Sequence, residues 1–414
     1  MYRPTLLACC LLLAAFCLLS ASPAADWPGW RGPDGTGVSA ERDLPTEWSA
    51  TRHVRWKVPL AGAGVSAPVV SGGRVFLTAS DGRLNDRLHV YCFDRADGRE
   101  LWHTPLFGSA EPEGYFQPGG MAVPTPAADG RRLYALFGTG DLVCLDFDGK
   151  PVWMRSLAQE YGPFRNRWGM AASPLLLGDL LVVLVDHWGG SYLLGVDAGT
   201  GATRWKTDRD ASVNWSSPAA ATVAGKKQVV VTGTYQVKGY DAADGTELWK
   251  VNGLQMQCIP SPVAQGNLVY ATSGRAGTTL AIRLDGRRGD LTRTHVVWKS
   301  KRGTPYIPSP VCYRGRYYLV NDEGIGTCLD AATGTEVWRQ RLGGRYQASP
   351  VAGGGNVYYT NLDGVVAVVR AGPTFELLAR NRVGEAVVAS PALSGGQLFL
   401  RGEKHLFCIS EPAK

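Results

Sequence analysis

The sequence predicts an all-β fold, an eight-bladed β-propeller of four-stranded antiparallel blades, on three periodic observations. Eight prolines, Pro68, Pro126, Pro174, Pro218, Pro262, Pro310, Pro350 and Pro391, head apolar strand-like runs, most in or near a Ser-Pro pair. Their spacings of 58, 48, 44, 44, 48, 40 and 41 residues match the length of one propeller blade. In step with them, Trp56, Trp102, Trp153, Trp205, Trp249, Trp298 and Trp338 close strand-like segments, five of them 12 or 13 residues before the next marker proline. Finally, His53 to Pro59 is a closing strand with no blade before it, and Pro391 to Ser410 is a set of opening strands with no closing strand after it. Pairing the two ends closes the ring and removes exposed sheet edges.

Taken from the N-terminus, residues 1–25 have the layout of a secretory signal: Arg3, an apolar run from Leu6 to Leu19, then Ala21, Ser22, Ala24 and Ala25. The bulky Phe16 before Cys17 argues against a lipoprotein signal, and no later apolar run is long enough to form a transmembrane segment. The expectation is therefore export to the periplasm or the extracellular space. Residues 26–52 form an N-terminal arm and 53–414 the propeller. Trp102 and Trp153 precede their next proline by 24 and 21 residues, so insertions are expected at His103 to Met121 and Met154 to Ala171. Counting back from Pro391 reaches Ala379, so the seventh blade keeps its closing strand but lacks the tryptophan.

Within blades, runs such as Val311 to Val320 and Val351 to Thr360 are rich in Val and Tyr and bounded by Gly. The Asp-led links Asp197 to Gly201, Asp241 to Gly245 and Asp330 to Gly334 are read as turns between third and fourth strands, with Asp bonding backbone amides and Gly accepting positive φ. No single loop gathers the alternating carboxylates of an EF-hand-type calcium site. Cys92, Cys144, Cys328 and Cys408 occupy one slot in four blades, as small buried hydrophobes would, while Cys258 and Cys312 lie outside it and are left open as a pair. The formal charge is +7, or +6 without Arg3, and its clusters (Arg287-Arg288, Lys299 to Arg302) lack interleaved aromatics, which argues against nucleic acid. The six histidines show no zinc-ligand spacing.

The pattern Asp-x-x-Thr/Asp-Gly-x-x-x-Trp, at Asp241 to Trp249 and Asp330 to Trp338, resembles the pyrroloquinoline quinone (PQQ) repeat. The chain is similar to the quinoprotein alcohol dehydrogenase-like superfamily, which includes the outer-membrane assembly factor BamB. The leader Asp26-Trp27-Pro28-Gly29-Trp30-Arg31-Gly32-Pro33-Asp34-Gly35 is similar to the start of many secreted PQQ-binding-like propellers. The resemblance implies that the repeat's Gly and Trp lock adjacent blades. It also implies that a dehydrogenase would add PQQ with calcium, an Asp base and a disulfide between adjacent cysteines. The adjacent pair here, Cys9 and Cys10, lies in the signal-like segment.

A four-stranded blade puts its second-to-third-strand turn and its link to the next blade on one face, around the channel mouth. Arg167, Trp168, Asn214, Trp215, Gln255, Gln257, Tyr306, Arg345, Tyr346 and Gln347 are expected there, with Asp186, His187, Trp188, Arg275, Asp322 and Glu323 on the matching turns. Such a set suits a planar or small polar anionic ligand, or simply packs the channel and the blade seams. No catalytic residue and no metal ligand is assigned; Asp186 and His187, adjacent on a turn, point apart. The function expected is an exported, non-enzymatic scaffold that binds an envelope protein or peptide. The alternatives are a PQQ-dependent dehydrogenase oxidising an alcohol or sugar, and a carbohydrate-binding module.

Overall fold

The computed structural model describes residues 26–111, 119–274 and 277–411. The signal-like segment, residues 112–118 of the first insertion (with Glu113, Tyr115 and Phe116) and Arg275 lie outside the described residues. Eight antiparallel sheets follow one another around a ring, each beginning just after a marker proline. The first has strands Val69–Ser71, Arg74–Asp81, Arg87–Asp94 and Glu100–Phe107, running from the channel outward. In the eighth, the outermost strand is Val54–Pro59, paired in register with His405–Ile409 (Trp56 opposite Cys408). The ring is therefore fastened by its N-terminal strand, as the two chain ends require.

A local rule shapes every blade. The third strand carries a small residue opposite the tryptophan of the fourth: Cys92, Cys144, Gly195, Gly239, Ala281, Cys328 and Cys408 face Trp102, Trp153, Trp205, Trp249, Trp298, Trp338 and Trp56. A Cβ at Gly195 or Gly239 would run into the indole. In blade 7, where Ala379 replaces the tryptophan, its cross-strand partner grows to Val368. Large and small residues alternate to keep the layer filled. This explains the cysteine slot: all six cysteines of the described residues, Cys258 and Cys312 included, are free and buried.

The tryptophans also lock the seams. The Nε1 groups of Trp56, Trp102, Trp153, Trp205 and Trp298 donate to carbonyls of the next blade's third-to-fourth-strand turn (Arg95, Phe147, Ala198, Ala242 and Ala331) at 2.6–3.2 Å. In these turns Asp197 accepts from the Thr200 amide at 2.8 Å and Asp241 from that of Ala243 at 2.9 Å. Each closing glycine lies flat on the ring: a Cβ on Gly201, at φ +77, would stand 2.7 Å from Trp153. Trp249 departs from this pattern and bonds Gln228 of its own blade. Blade 5 has a longer excursion there, and its Gly289–Asp290 segment adds a parallel fifth strand to blade 4.

Residues 26–52 cross the channel on the face that carries these turns. Trp27 pairs with Val70 of blade 1, Trp30 donates to Ser261 Oγ of blade 5 at 3.0 Å, and Val38 pairs with Ala352 of blade 7. The Glu41 carboxylate then caps the amides of Gly395 and Gly396 in blade 8. Trp48 of the same arm joins the apolar cluster against which Ala379 packs, so the arm supplies an indole beside the blade that lacks one.

The insertions begin later than expected. Glu100–Phe107 and Pro151–Ser156 extend through His103 and Met154, and only afterwards do the loops leave the sheet. The second loop opens with a five-residue helix, Leu157–Tyr161, capped by Ser156, whose Oγ accepts from Gln159 N. Both loops leave their strands on the face opposite the arm: Gly108 N donates to Asp86 O and Leu157 N to Gly140 O, each on a second-to-third-strand turn.

Candidate functional site

The channel is built by alternation along each blade's entry strand. The residue before each marker proline is Ala67, Thr125, Ser173, Ser217, Ser261, Ser309, Ser349 or Ser390. From Ala67 onward, each backbone N–H donates to the hydroxyl of the next blade's equivalent residue at 2.9–3.1 Å, seven links ending at Ser390. This hydroxyl collar is the physical content of the Ser-Pro marker. Proline holds the preceding residue extended, and the hydroxyl meets an amide that no sheet ladder reaches.

Two residues earlier, and so on the same side of an extended chain, a second ring faces the lumen: Val65, Val123, Ala171, Trp215, Ile259, Ile307, Gln347 and Val388. Together the rings enclose a cup of about 220 Å³, with Trp30 of the arm as its floor and Trp168 at its rim. No side chain lining it is charged. Trp168 stands 5.7 Å from Trp188 and 6.0 Å from Trp215 between ring centroids, and the Arg167 guanidinium lies 4.9 Å above Trp168. Trp168 is 38% and Trp188 52% exposed.

Beside the cup, and sharing Ile307 and Gln347 with it, a wider groove of about 910 Å³ runs between blades 5, 6 and 7. Lys301, Asn321, Glu323 and Arg345 line it, and Asp322 accepts from the Tyr306 amide at 2.7 Å. Burial pushes the Asp322 carboxyl above the usual carboxylate range, against that hydrogen bond. Tyr306 Oη donates to Gln257 at 3.2 Å, while Gln255 bonds Ser273 through its amide.

Of the residues expected at the mouth, the structure brings Trp168, Trp215 and Gln347 to the cup, with Arg167 on the rim and Tyr306, Arg345, Asp322 and Glu323 in the groove. Tyr346 is 1% exposed and only edges the groove from the core between blades 6 and 7. Asn214 is buried: its Nδ2 donates to Asp186 at 3.2 Å and its Oδ1 accepts from Cys258 N. Asp186 and Arg209 form a buried ion pair at 2.9 Å, extended by Arg209 to Tyr240 Oη at 2.7 Å. Burial alone would depress the Arg209 guanidinium, but Asp186 and Tyr240 raise it above the ordinary arginine value. His187 Nδ1 accepts the Arg165 amide at 2.8 Å. This cluster braces the loop base. The apolar ring of Val65, Val123, Ile259, Ile307 and Val388 was missed, although counting back three from each proline finds it.

PQQ is a flat tricarboxylate that the superfamily's dehydrogenases hold beside calcium. The cup's lining of aliphatic, indole and hydroxyl side chains offers no cation to that group, and no cluster of three or more His, Cys, Asp or Glu stands ready for a metal ion among the described residues.

The eight closed blades, their Trp-on-Gly seams and this channel define a PQQ-like repeat propeller. The sequence profile of the family described as "Outer membrane protein assembly factor BamB" matches residues 85–300 and 287–373, well over half of the chain, and the chain belongs to that family. In three dimensions it is similar to BamB from Moraxella catarrhalis (TM-score 0.64, 15% identity, 87% of this chain and 98% of that one). It is also similar to a europium-containing methanol dehydrogenase (0.68, 12%, 91% and 89%) and to quinohemoprotein alcohol dehydrogenase from Comamonas testosteroni (0.66, 13%, 94% and 81%). At such identities the likeness is one of fold. Tetrathionate hydrolase of Acidithiobacillus ferrooxidans is 25% identical over 274 residues, 60% of this chain; the chain spans about half the length of that relative, 48%.

Proposed function

We propose that this chain is an exported, non-enzymatic propeller whose open face binds an envelope protein or peptide. An apolar side chain of the partner enters the cup, and the adjoining backbone lies in the Tyr306–Asp322 groove. One observation carries this reading: an uncharged apolar cup opens, through Ile307 and Gln347, directly into a polar groove, with exposed Trp168 and Trp188 beside it. Exposed indoles next to a pocket are typical anchors of protein interfaces. Export rests on residues 1–25, and no helix among the described residues is long and apolar enough to cross a membrane.

The test is site-specific photo-crosslinking in cells, with the reactive side chain at Trp188 and, as control, at Val152 on the exposed outer edge of blade 2. One envelope protein captured from position 188, absent from 152 and lost with Trp168→Ala, supports the proposal. Equal capture at both positions overturns it. So does saturable PQQ binding accompanied by dye-linked oxidation of an alcohol or sugar, which would establish the dehydrogenase reading instead.

A further inference from the structure

The seam that closes the ring, between blades 8 and 1, differs from the other seven. The collar would need a hydroxyl at Ala67 to accept from Ser390, and alanine has none. A guanidinium bridges the gap instead: Arg401 Nη1 donates to Ser66 Oγ at 2.7 Å, Thr78 O at 2.7 Å and Ser66 O at 3.4 Å. Arg401 is 3% exposed. A Cβ on Gly64 would collide with it, so that glycine is what lets the side chain lie there.

Arg401 also lines a cavity of about 490 Å³ on the open face, with Gly62, Ala63, Gly64, Ala386 and Ala389. No acceptor faces its Nε or Nη2, and no carboxylate pairs with it, among the described residues. Burial pulls this guanidinium down to about 9, with Tyr91 opposing. Arg31 offers the contrast. It too is buried without a carboxylate, but its two terminal nitrogens are spent on the carbonyls of Thr36, Ser309, Pro310 and Pro350, and it lines neither the cup nor the hollow beside the arm. Arg31 is a brace, whereas Arg401 is a brace with one edge turned to a cavity.

We propose that this seam cavity binds a small organic monocarboxylate, gripped bidentately by the Nε–Nη2 edge of Arg401, with its carbon skeleton against Ala386, Ala389 and Val65. The planar fork matches a carboxylate, and a buried cation without a counter-ion gains most from acquiring one. The small apolar walls admit a short or aromatic body. Exposed Lys404 and Glu403 share the rim, so a second negative charge on the ligand would meet Glu403 as well as Lys404. Sulfate, which has no carbon skeleton to set against these walls, is the weaker ligand.

The experiment titrates the purified protein with butyrate and phenylacetate, and with phenylacetamide and sulfate as controls. The Arg401 Nε–Hε resonance, assigned with Arg401→Lys, is followed by NMR, and affinity is measured by calorimetry. A saturable shift of that resonance with the carboxylates, none with the amide, and at least tenfold weaker sulfate binding is expected. Ala386→Phe, which narrows the mouth without touching Arg401, abolishes binding at an unchanged melting temperature. The same shift with the amide, no shift with either carboxylate, or wild-type binding by Ala386→Phe overturns the proposal. Trp188→Ala leaves carboxylate binding intact, which separates this site from partner docking.

Discussion

The two faces of the ring are made of the same eight blades and obey different rules. On the arm face, turns repeat: Asp caps amides, Gly lies on Trp, and the blade-closing indoles, Trp249 excepted, bond a carbonyl of the next blade. On the open face the links differ from blade to blade, and exposed Trp168, Trp188, Tyr235 and Met256 sit among them. The difference teaches where stability and recognition reside. Repeated contacts add up around a closed ring, while unrepeated loops are free to specify a ligand.

That division is open to attack. The largest effect is expected from Trp205→Ala, which removes a seam lock and opens a cavity; it should cost ~3–5 kcal/mol, read as a fall in the urea midpoint. A cost no larger than that of an open-face substitution would dissolve the distinction. The base of the open face is itself structural, so Arg209→Met, leaving Asp186 buried and unpaired, should cost about 3 kcal/mol or more, and wild-type melting would show that pair to be dispensable. Ser261→Ala removes a hydroxyl that accepts from both Ser217 N and Trp30 Nε1. It should destabilise by about 1–3 kcal/mol, detected as a lower melting temperature together with brighter exchange of the Trp30 indole proton.

A smaller effect sharpens the collar argument in the opposite direction. Ala67→Ser supplies the eighth hydroxyl and should stabilise by about 1 kcal/mol; destabilisation would mean that Arg401 has already taken the space. The smallest stability change, within ~0.5 kcal/mol, belongs to Trp188→Ala, whose side chain is 52% exposed, and is read as an unchanged melting temperature.

Much of the fold was legible because a blade's chemistry repeats. Pro and Trp periodicity located all eight blades, and the orphan strand around Trp56 announced the closure. The cysteine slot was readable as small and buried, although its cause, an indole directly across the strand, needed the register. The site was less legible. Side chains on an extended strand alternate, so of the residues just before each proline those at the third and first positions back form the two lumen rings. Trp215 and Gln347 obey that count, while Asn214 and Tyr346, one step further back, turn into the blade seams. Rich chemistry near a marker was a weaker guide than parity.

By itself the sequence determined an all-β closed ring of eight blades, its fastening strand, its turns and the face on which the loops collect. All of these follow from local periodicity, which the chain carries without reference to distant partners. Only the tertiary structure decided that residues 26–52 floor the channel, that the cup is uncharged, and that Asp186 answers Arg209 rather than a ligand. It also showed Arg401 facing a seam cavity with half its guanidinium unspent. Each of these depends on residues far apart in the chain meeting when the ring closes: Trp30 with Ser261, and Arg401 with Ser66. No local pattern encodes the distance between them.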